Sequence, residues 1–344
     1  MLCRRFLLQR RRKLVFGTLT EGLLSHPSLQ TSRSRLFSQL RSLAEEQRSQ
    51  SNRKVQRDAY KTASKYSVTD DDAAAIRVSH HDAPHCGIIR QLELNRPRAN
   101  NAINKRLLAD LSREIDSIHE ESSASQTRAL IIASGNNDVF CAGADLKERK
   151  TMSEQEVEDF LHSLRHVFTR LATLPVPTIA CVSGAALGGG LELALCCDFR
   201  VFSESAVVGL PETRLAIIPG GGGTHRLSQA VGLSRAKDLI LTGRRVTGEE
   251  AHLIGLCHRL VAGPTEEEQQ QGLDQNAQAQ SEALSLAKEI AGGGPVAIRA
   301  ALEAVRGGSQ EAENAAYKKV LKTQDRTEAL AAFAGKRSPE FKGE

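Results

Sequence analysis

Apolar positions along residues 75–264 recur in two periods, and the switching between them predicts the fold. Two apolar stretches, residues 76–79 and 87–94, flank the turn-like His80-His81-Asp82-Ala83-Pro84 and predict a β-hairpin. Leu107, Leu108, Leu111, Ile115 and Ile118 fall at helical spacing. Residues 129–133 form a short, wholly apolar run of the kind a buried strand makes. Val157, Phe160, Leu161, Leu164, Val167, Phe168 and Leu171 line one face of a second helix, which Pro175 and Pro177 end. Residues 178–182 then predict a strand, 188–197 a short helix, and 199–202 and 207–210 two more strands. Strand–strand–helix units in series imply a layered α/β fold over residues 75–264. The chain turns Gln/Glu-rich at residues 266–280, and only helical patterns follow, near 282–290, 295–306 and 310–324. Residues 265–344 are therefore expected to form a C-terminal helical domain.

Charge changes the picture at the N-terminus. The formal net charge is +5, but ten of the 46 Lys/Arg and three of the 41 Asp/Glu lie in residues 1–50. That segment carries +7, leaving 36 basic against 38 acidic residues for the remainder. The body thus has no overall basic field to attract nucleic acid. Residues 1–13 hold five arginines and one lysine, no acid precedes Glu21, and Ser and Thr are frequent through Ser38. This composition is expected of a mitochondrial transit peptide over residues 1–50, with Arg35-Leu36-Phe37-Ser38 resembling a matrix-protease cut, and a polar linker over 51–74. Localisation in the mitochondrial matrix follows as an expectation. No apolar run approaches the ~18 residues of a membrane span, so no membrane association is expected. The seven cysteines form no CxxC pair and the ten histidines no HExxH. Reduced, buried thiols and no metal site are expected.

The chemistry concentrates in three glycine-bearing loops. Glu192 lies in Ala186-Leu187-Gly188-Gly189-Gly190-Leu191-Glu192-Leu193, and Glu212 follows Gly209-Leu210-Pro211 and precedes Pro219-Gly220-Gly221-Gly222-Gly223-Thr224. The third loop is Phe140-Cys141-Ala142-Gly143-Ala144-Asp145-Leu146-Lys147. Neither glycine run is a phosphate loop, since no Gly-Lys-Ser/Thr follows, and neither matches GxGxxG. Singly, each run reads as close helix–sheet packing or a turn entering a helix. The surroundings of Glu192 argue for more: Leu191, Leu193, Ala194 and Leu195 make its helix apolar nearly all round, and a carboxylate buried there needs a reason to exist. A carboxylate beside exposed backbone N–H groups is what proton transfer next to a developing oxyanion requires.

With these motifs, Asn95-Arg96-Pro97, Asn101-Ala102, Ile218-Pro219-Gly220 and Ala332-Phe333-Ala334-Gly335-Lys336-Arg337, the chain over about residues 75–344 resembles the crotonase, or enoyl-CoA hydratase/isomerase, family. Residues 142–149 and 215–224 resemble its mitochondrial methylglutaconyl-CoA hydratases, also known as AU-rich-RNA-binding hydratases. The resemblance implies an α/β spiral of β-β-α repeats and a C-terminal helical domain that mediates trimers or dimers of trimers. It implies that the backbone N–H groups of Ala144 and Gly189 hold the thioester oxygen. Glu192 would activate a water, Glu212 would deliver a proton, and the Gly220 N–H would help hold the water. Ala142, Asp145, Leu146, Lys147 and Arg98 match positions about the coenzyme A moiety, and Phe333 and Lys336 a C-terminal segment that reaches it. No cofactor is implied beyond coenzyme A as part of the substrate. Two glutamates favour hydration over isomerisation, with 3-methylglutaconyl-CoA the favoured substrate. Its distal carboxylate calls for a cation, for which Arg214 is the first candidate, being two residues from Glu212 if that segment is extended, and Arg149 the alternative. RNA binding by the helix that begins Asn104-Lys105-Arg106 is disfavoured, because Asp110, Glu114 and Asp116 offset its basic residues.

Overall fold

The hairpin opens the fold as β1 (Ile76–Asp82) and β2 (Ile88–Leu94), antiparallel and longer than expected, since Asp82 still pairs with Ile88. In this computed structural model, residues 74–123, 126–270 and 274–344 are described. The expected targeting segment, and the linker through residue 73, lie outside the described residues. All described residues belong to the unit Val68–Glu344.

After α1 (Lys105–His119), the chain runs through three units that each place one strand in a large sheet and the next in a small one. The first is β3 (Thr127–Ser134) and β4 (Val139–Cys141), followed by α2 (Leu146–Arg149) and α3 (Glu154–Ala172). The second is β5 (Thr178–Val182) and β6 (Ala185–Leu187), followed by α4 (Gly189–Leu195). The third is β7 (Phe199–Ser203) and β8 (Val207–Gly209), followed by a 3₁₀ turn (Glu212–Leu215), α5 (Gly223–Val231) and α6 (Leu233–Thr242). Then come β9 (Arg245–Thr247), α7 (Gly248–Leu253), β10 (Arg259–Val261) and α8 (Glu266–Gln270). The large sheet has the order β1-β2-β3-β5-β7-β10, parallel except for the hairpin. The small sheet has the order β4-β6-β8-β9, parallel except for β8–β9. The spiral of β-β-α repeats implied by the resemblance is the architecture observed.

β3 shows why its sequence has no polar alternation: all eight residues are buried, as in a parallel strand covered on both faces. Leu130 and Ile132 face a cluster with Leu107, Leu111 and Phe168 from α1 and α3. Ala129, Ile131 and Ala133 face the opposite layer, where α9 (Gln275–Ala291) crosses the sheet through Ala279, Ala283, Leu286 and Ala287. Alanines every four residues let that helix lie close to the strands. The remaining helices are α10 (Pro295–Gly307), α11 (Gln310–Val320) and α12 (Gln324–Ala334). The helix expected over 310–324 ends at Val320, and α12, which sequence reasoning did not give, starts after Thr323 turns extended and caps it by accepting the Arg326 N–H at 3.2 Å.

Candidate active site

The Ala142–Asp145 loop is shaped by the Asn-Arg-Pro segment. Asn101 is fully buried, takes the Arg96 N–H on its Oδ1 (2.8 Å), and donates to Ser134 Oγ (2.8 Å) and the Phe140 carbonyl (3.0 Å). Ile103 then pairs with the loop, donating to the Gly143 carbonyl (2.7 Å) and accepting the Asp145 N–H (3.0 Å). Strand-like pairing uses alternate residues, so the Ala144 N–H is left on the other side, with no acceptor among the described residues. Asp145 is committed elsewhere. It caps α2 by accepting the Lys147 and Glu148 N–H groups and pairs with Arg96 at 3.2 Å.

Facing this loop is the N-terminus of α4. Gly189 is its first residue, so its N–H has no place in the helix ladder. The Ala144 nitrogen lies 3.6 Å from where a Cβ on Gly189 would stand. Two undirected donors therefore sit side by side. Gly190 serves packing instead: a Cβ there would fall 2.1 Å from the Cys141 carbonyl.

Glu192, one turn into α4, is 2% exposed. Its Oε1 accepts the N–H groups of Gly221 (2.8 Å) and Gly223 (2.7 Å). Burial raises its pKa, opposed by those N–H groups and by the positive charges of Arg226 and Arg165. Glu212 begins the 3₁₀ turn and is also buried. Its carboxylate lies over Gly188, with Oε1 at 3.0 Å from the position of a Cβ on that glycine. Its Oε2 is buried and without a hydrogen-bond partner. Burial pushes its pKa up to about 7, its own backbone N–H resisting and the Glu192 charge adding to the rise. Burial raises both carboxyls, but their surroundings differ: Glu192 is held by two N–H donors that favour its anion, and Glu212, with one oxygen unpartnered, keeps a proton toward neutrality.

Both line one cavity of about 90 Å³ together with Ala142, Ala144, Gly188, Gly189 and Gly220. Leu146, Leu161, Leu164, Leu215, Ile217 and Ile218 supply apolar wall. The Gly220 N–H has no acceptor among the described residues. The charged side chains lining this cavity are Glu192, Glu212 and Arg149. Lys147 and Arg98 are exposed and outside its walls, as are Phe333 and Lys336.

Arg214 is a correction. Residues Glu212–Leu215 form a 3₁₀ turn, not an extended segment, so positions 212 and 214 do not share a side. Arg214 turns away and donates from Nε to the Thr242 carbonyl at 2.8 Å. The alternative cation, Arg149, stands in the cavity wall with no side-chain hydrogen bond or ion pair among the described residues. On α1, Arg113 pairs with Asp110 at 2.9 Å, and Asp116 takes Arg170 at 2.7 Å. Sequence reasoning also left Arg165 and Arg226 unremarked, for nothing in their local pattern points at the glycine turn they contact.

The family model for enoyl-CoA hydratase/isomerase matches residues 86–344. The chain belongs to the enoyl-CoA hydratase/isomerase family. It is an enzyme of the enoyl-CoA hydratase type, a hydro-lyase. It is 55% identical over 273 residues to an enoyl-CoA isomerase/hydratase of Zymoseptoria tritici, covering 79% of this chain and 89% of that one. It is 48% identical to the mitochondrial methylglutaconyl-CoA hydratase 1 of Pyricularia oryzae, covering 81% and 89%. The human mitochondrial methylglutaconyl-CoA hydratase is 44% identical, covering 80% and 79%. Among solved structures, an enoyl-CoA hydratase from Bacillus anthracis superposes with a TM-score of 0.70 at 41% identity, covering 78% of this chain and all of that one.

Proposed function

We propose that this enzyme adds water across the 2,3 double bond of a short-chain enoyl-CoA in the mitochondrial matrix, with 3-methylglutaconyl-CoA its favoured substrate. The observation that carries the reading is the pair of buried carboxyls on one cavity, one held by two N–H donors and the other with an unpartnered oxygen, beside two adjacent N–H groups without acceptors. The thioester oxygen accepts from the Ala144 and Gly189 N–H groups, which favour the negative charge that gathers there as water adds. Glu192 takes a proton from the water as its oxygen attacks C3. Glu212 gives its proton to C2. The Gly220 N–H helps hold the water. In the reverse direction the same pair dehydrates a 3-hydroxyacyl thioester. Coenzyme A enters only as part of the substrate, with Arg98, Lys147, Phe333 and Lys336 assigned to its outer contacts. The C-terminal helices expose Val305, Tyr317, Leu330 and Phe333, which supports assembly as a homotrimer or a dimer of trimers.

Substrate choice rests on Arg149. An unpaired guanidinium in a wall that is otherwise apolar apart from the two glutamates suits a distal carboxylate, which burial without a partner would penalise. The mitochondrial methylglutaconyl-CoA hydratases among the relatives support the same substrate and compartment. Arg149→Met is expected to lower kcat/KM for 3-methylglutaconyl-CoA by about 10²-fold, the scale of a lost charged hydrogen bond, and to leave crotonyl-CoA within a few-fold. Equal losses on both substrates would remove Arg149 from substrate choice.

A further inference from the structure

Glu192 is held by two peptide groups of the glycine turn, and these differ in what stands behind them. The Gly221 N–H that donates to Glu192 Oε1 at 2.8 Å belongs to the same peptide as the Gly220 carbonyl. That carbonyl accepts from Arg165 Nε at 2.7 Å, across from α3. The Gly223 N–H, at 2.7 Å, belongs to the peptide of the Gly222 carbonyl, which accepts only the neutral backbone N–H of Arg226 at 3.0 Å. The Arg226 guanidinium grips the peptide between, through the Gly221 carbonyl at 2.7 Å, and that peptide does not donate to Glu192. Arg165 is therefore the guanidinium whose bonded peptide itself reaches the carboxylate. It forms no ion pair among the described residues.

We propose that Arg165 is a positioning residue that acts on Glu192 through the Gly220–Gly221 peptide, aiming its N–H and strengthening its hold on the anion. The proposal rests on the reading of Glu192 as the group that takes the proton from water. In a trans peptide the C=O and N–H point in opposite directions. A cation at the oxygen and an anion at the hydrogen thus both align with the peptide dipole, and each bond polarises the other. The contact also fixes geometry: Pro219 precedes the turn and four glycines follow, so without an anchor the Gly220–Gly221 peptide has wide freedom to rotate. Holding the carbonyl toward α3 holds the N–H toward α4. Other charged or titratable groups facing Glu192 are Glu212 from the 3₁₀ turn, Arg226 from α5 and Cys196 just past the end of α4. None shares a peptide group with a donor to Glu192 through its side chain. Arg165 is exposed, so its loss opens no cavity and leaves no buried group unpaired other than the carbonyl it held.

The test is the pH dependence of kcat/KM for crotonyl-CoA hydration in the full-length enzyme, its Arg165→Met and Arg165→Lys variants, and Glu192→Gln. Arg165→Met is expected to move the acidic limb to higher pH by about half to one pH unit, because the anion loses support and holds its proton longer. Rate below neutrality falls about 3- to 10-fold, with KM and Tm nearly unchanged. Arg165→Lys, whose ammonium can meet the same carbonyl, is expected to restore most of the wild-type limb. An inactive Glu192→Gln together with an Arg165→Met limb that stays in place overturns the relay. A loss seen only in Tm or KM does the same. If instead Glu192→Gln keeps wild-type activity, the assignment of Glu192 fails first and the relay with it.

Discussion

At the scale of single residues, the proposed chemistry depends on two carboxyls made unlike by what donates to them. Glu192 has two N–H donors on one oxygen, whereas Glu212 has a buried oxygen with none. Hydration needs one of each, an acceptor and a donor of protons. The sign for pH follows from Glu212. Its pKa is raised to about 7, so it is protonated below that value and loses the deliverable proton above it. Hydration kcat/KM is expected to fall as pH rises through about 7, and dehydration to follow the same profile, because the pair carries one proton in either direction. A profile flat from neutral into mildly alkaline pH contradicts this proton placement.

At the scale of elements, the site is a meeting of three loops, and its precision comes from close backbone approach. Gly189 and Gly190 give separable predictions. Gly189→Pro removes an N–H at a helix position that tolerates proline, and is expected to cost kcat the ~2.7–4 kcal/mol of one oxyanion donor. Gly190→Ala forces a methyl to within 2.1 Å of the Cys141 carbonyl and should show as a lower Tm, with little soluble protein. A stable Gly190→Ala enzyme would refute the packing argument.

The long elements were legible because periodicity needs length. α1, α3 and β5 stand where their apolar spacing predicts. Val139–Cys141, Ala185–Leu187 and Arg245–Thr247 are three residues each, too short to show any period, and were missed. Glu192 was legible as a buried carboxylate because its neighbours are apolar. The use made of its glycine partners was not, since a peptide hydrogen bond leaves no mark on residue type. Arg214 failed for a related reason. Its spacing argument needed a strand period, and Ala216 in a left-handed conformation closes a 3₁₀ turn that its sequence does not announce.

At the scale of the whole molecule, the large sheet is covered on both faces, and the C-terminal helices carry several exposed apolar side chains, Val305, Tyr317, Leu330 and Phe333. Phe333 is 86% exposed and Leu330, three residues before it on the same helix, 57%. Self-association through these helices is expected, and Phe333→Glu combined with Leu330→Glu should shift the sedimenting species to lower mass. An unchanged mass would place the assembly surface elsewhere.

The central claim is that Glu192 and Glu212 together add water to an enoyl thioester. The most direct measurement is the loss of the conjugated enoyl absorbance of crotonyl-CoA with purified wild type, Glu192→Gln and Glu212→Gln at equal concentration, with Tm recorded for each. The account predicts rapid loss with wild type, a kcat lower by about 10²–10⁴ in each variant, and Tm values close to wild type because Gln is nearly isosteric. Either variant hydrating within a few-fold of wild type, while folded, contradicts it.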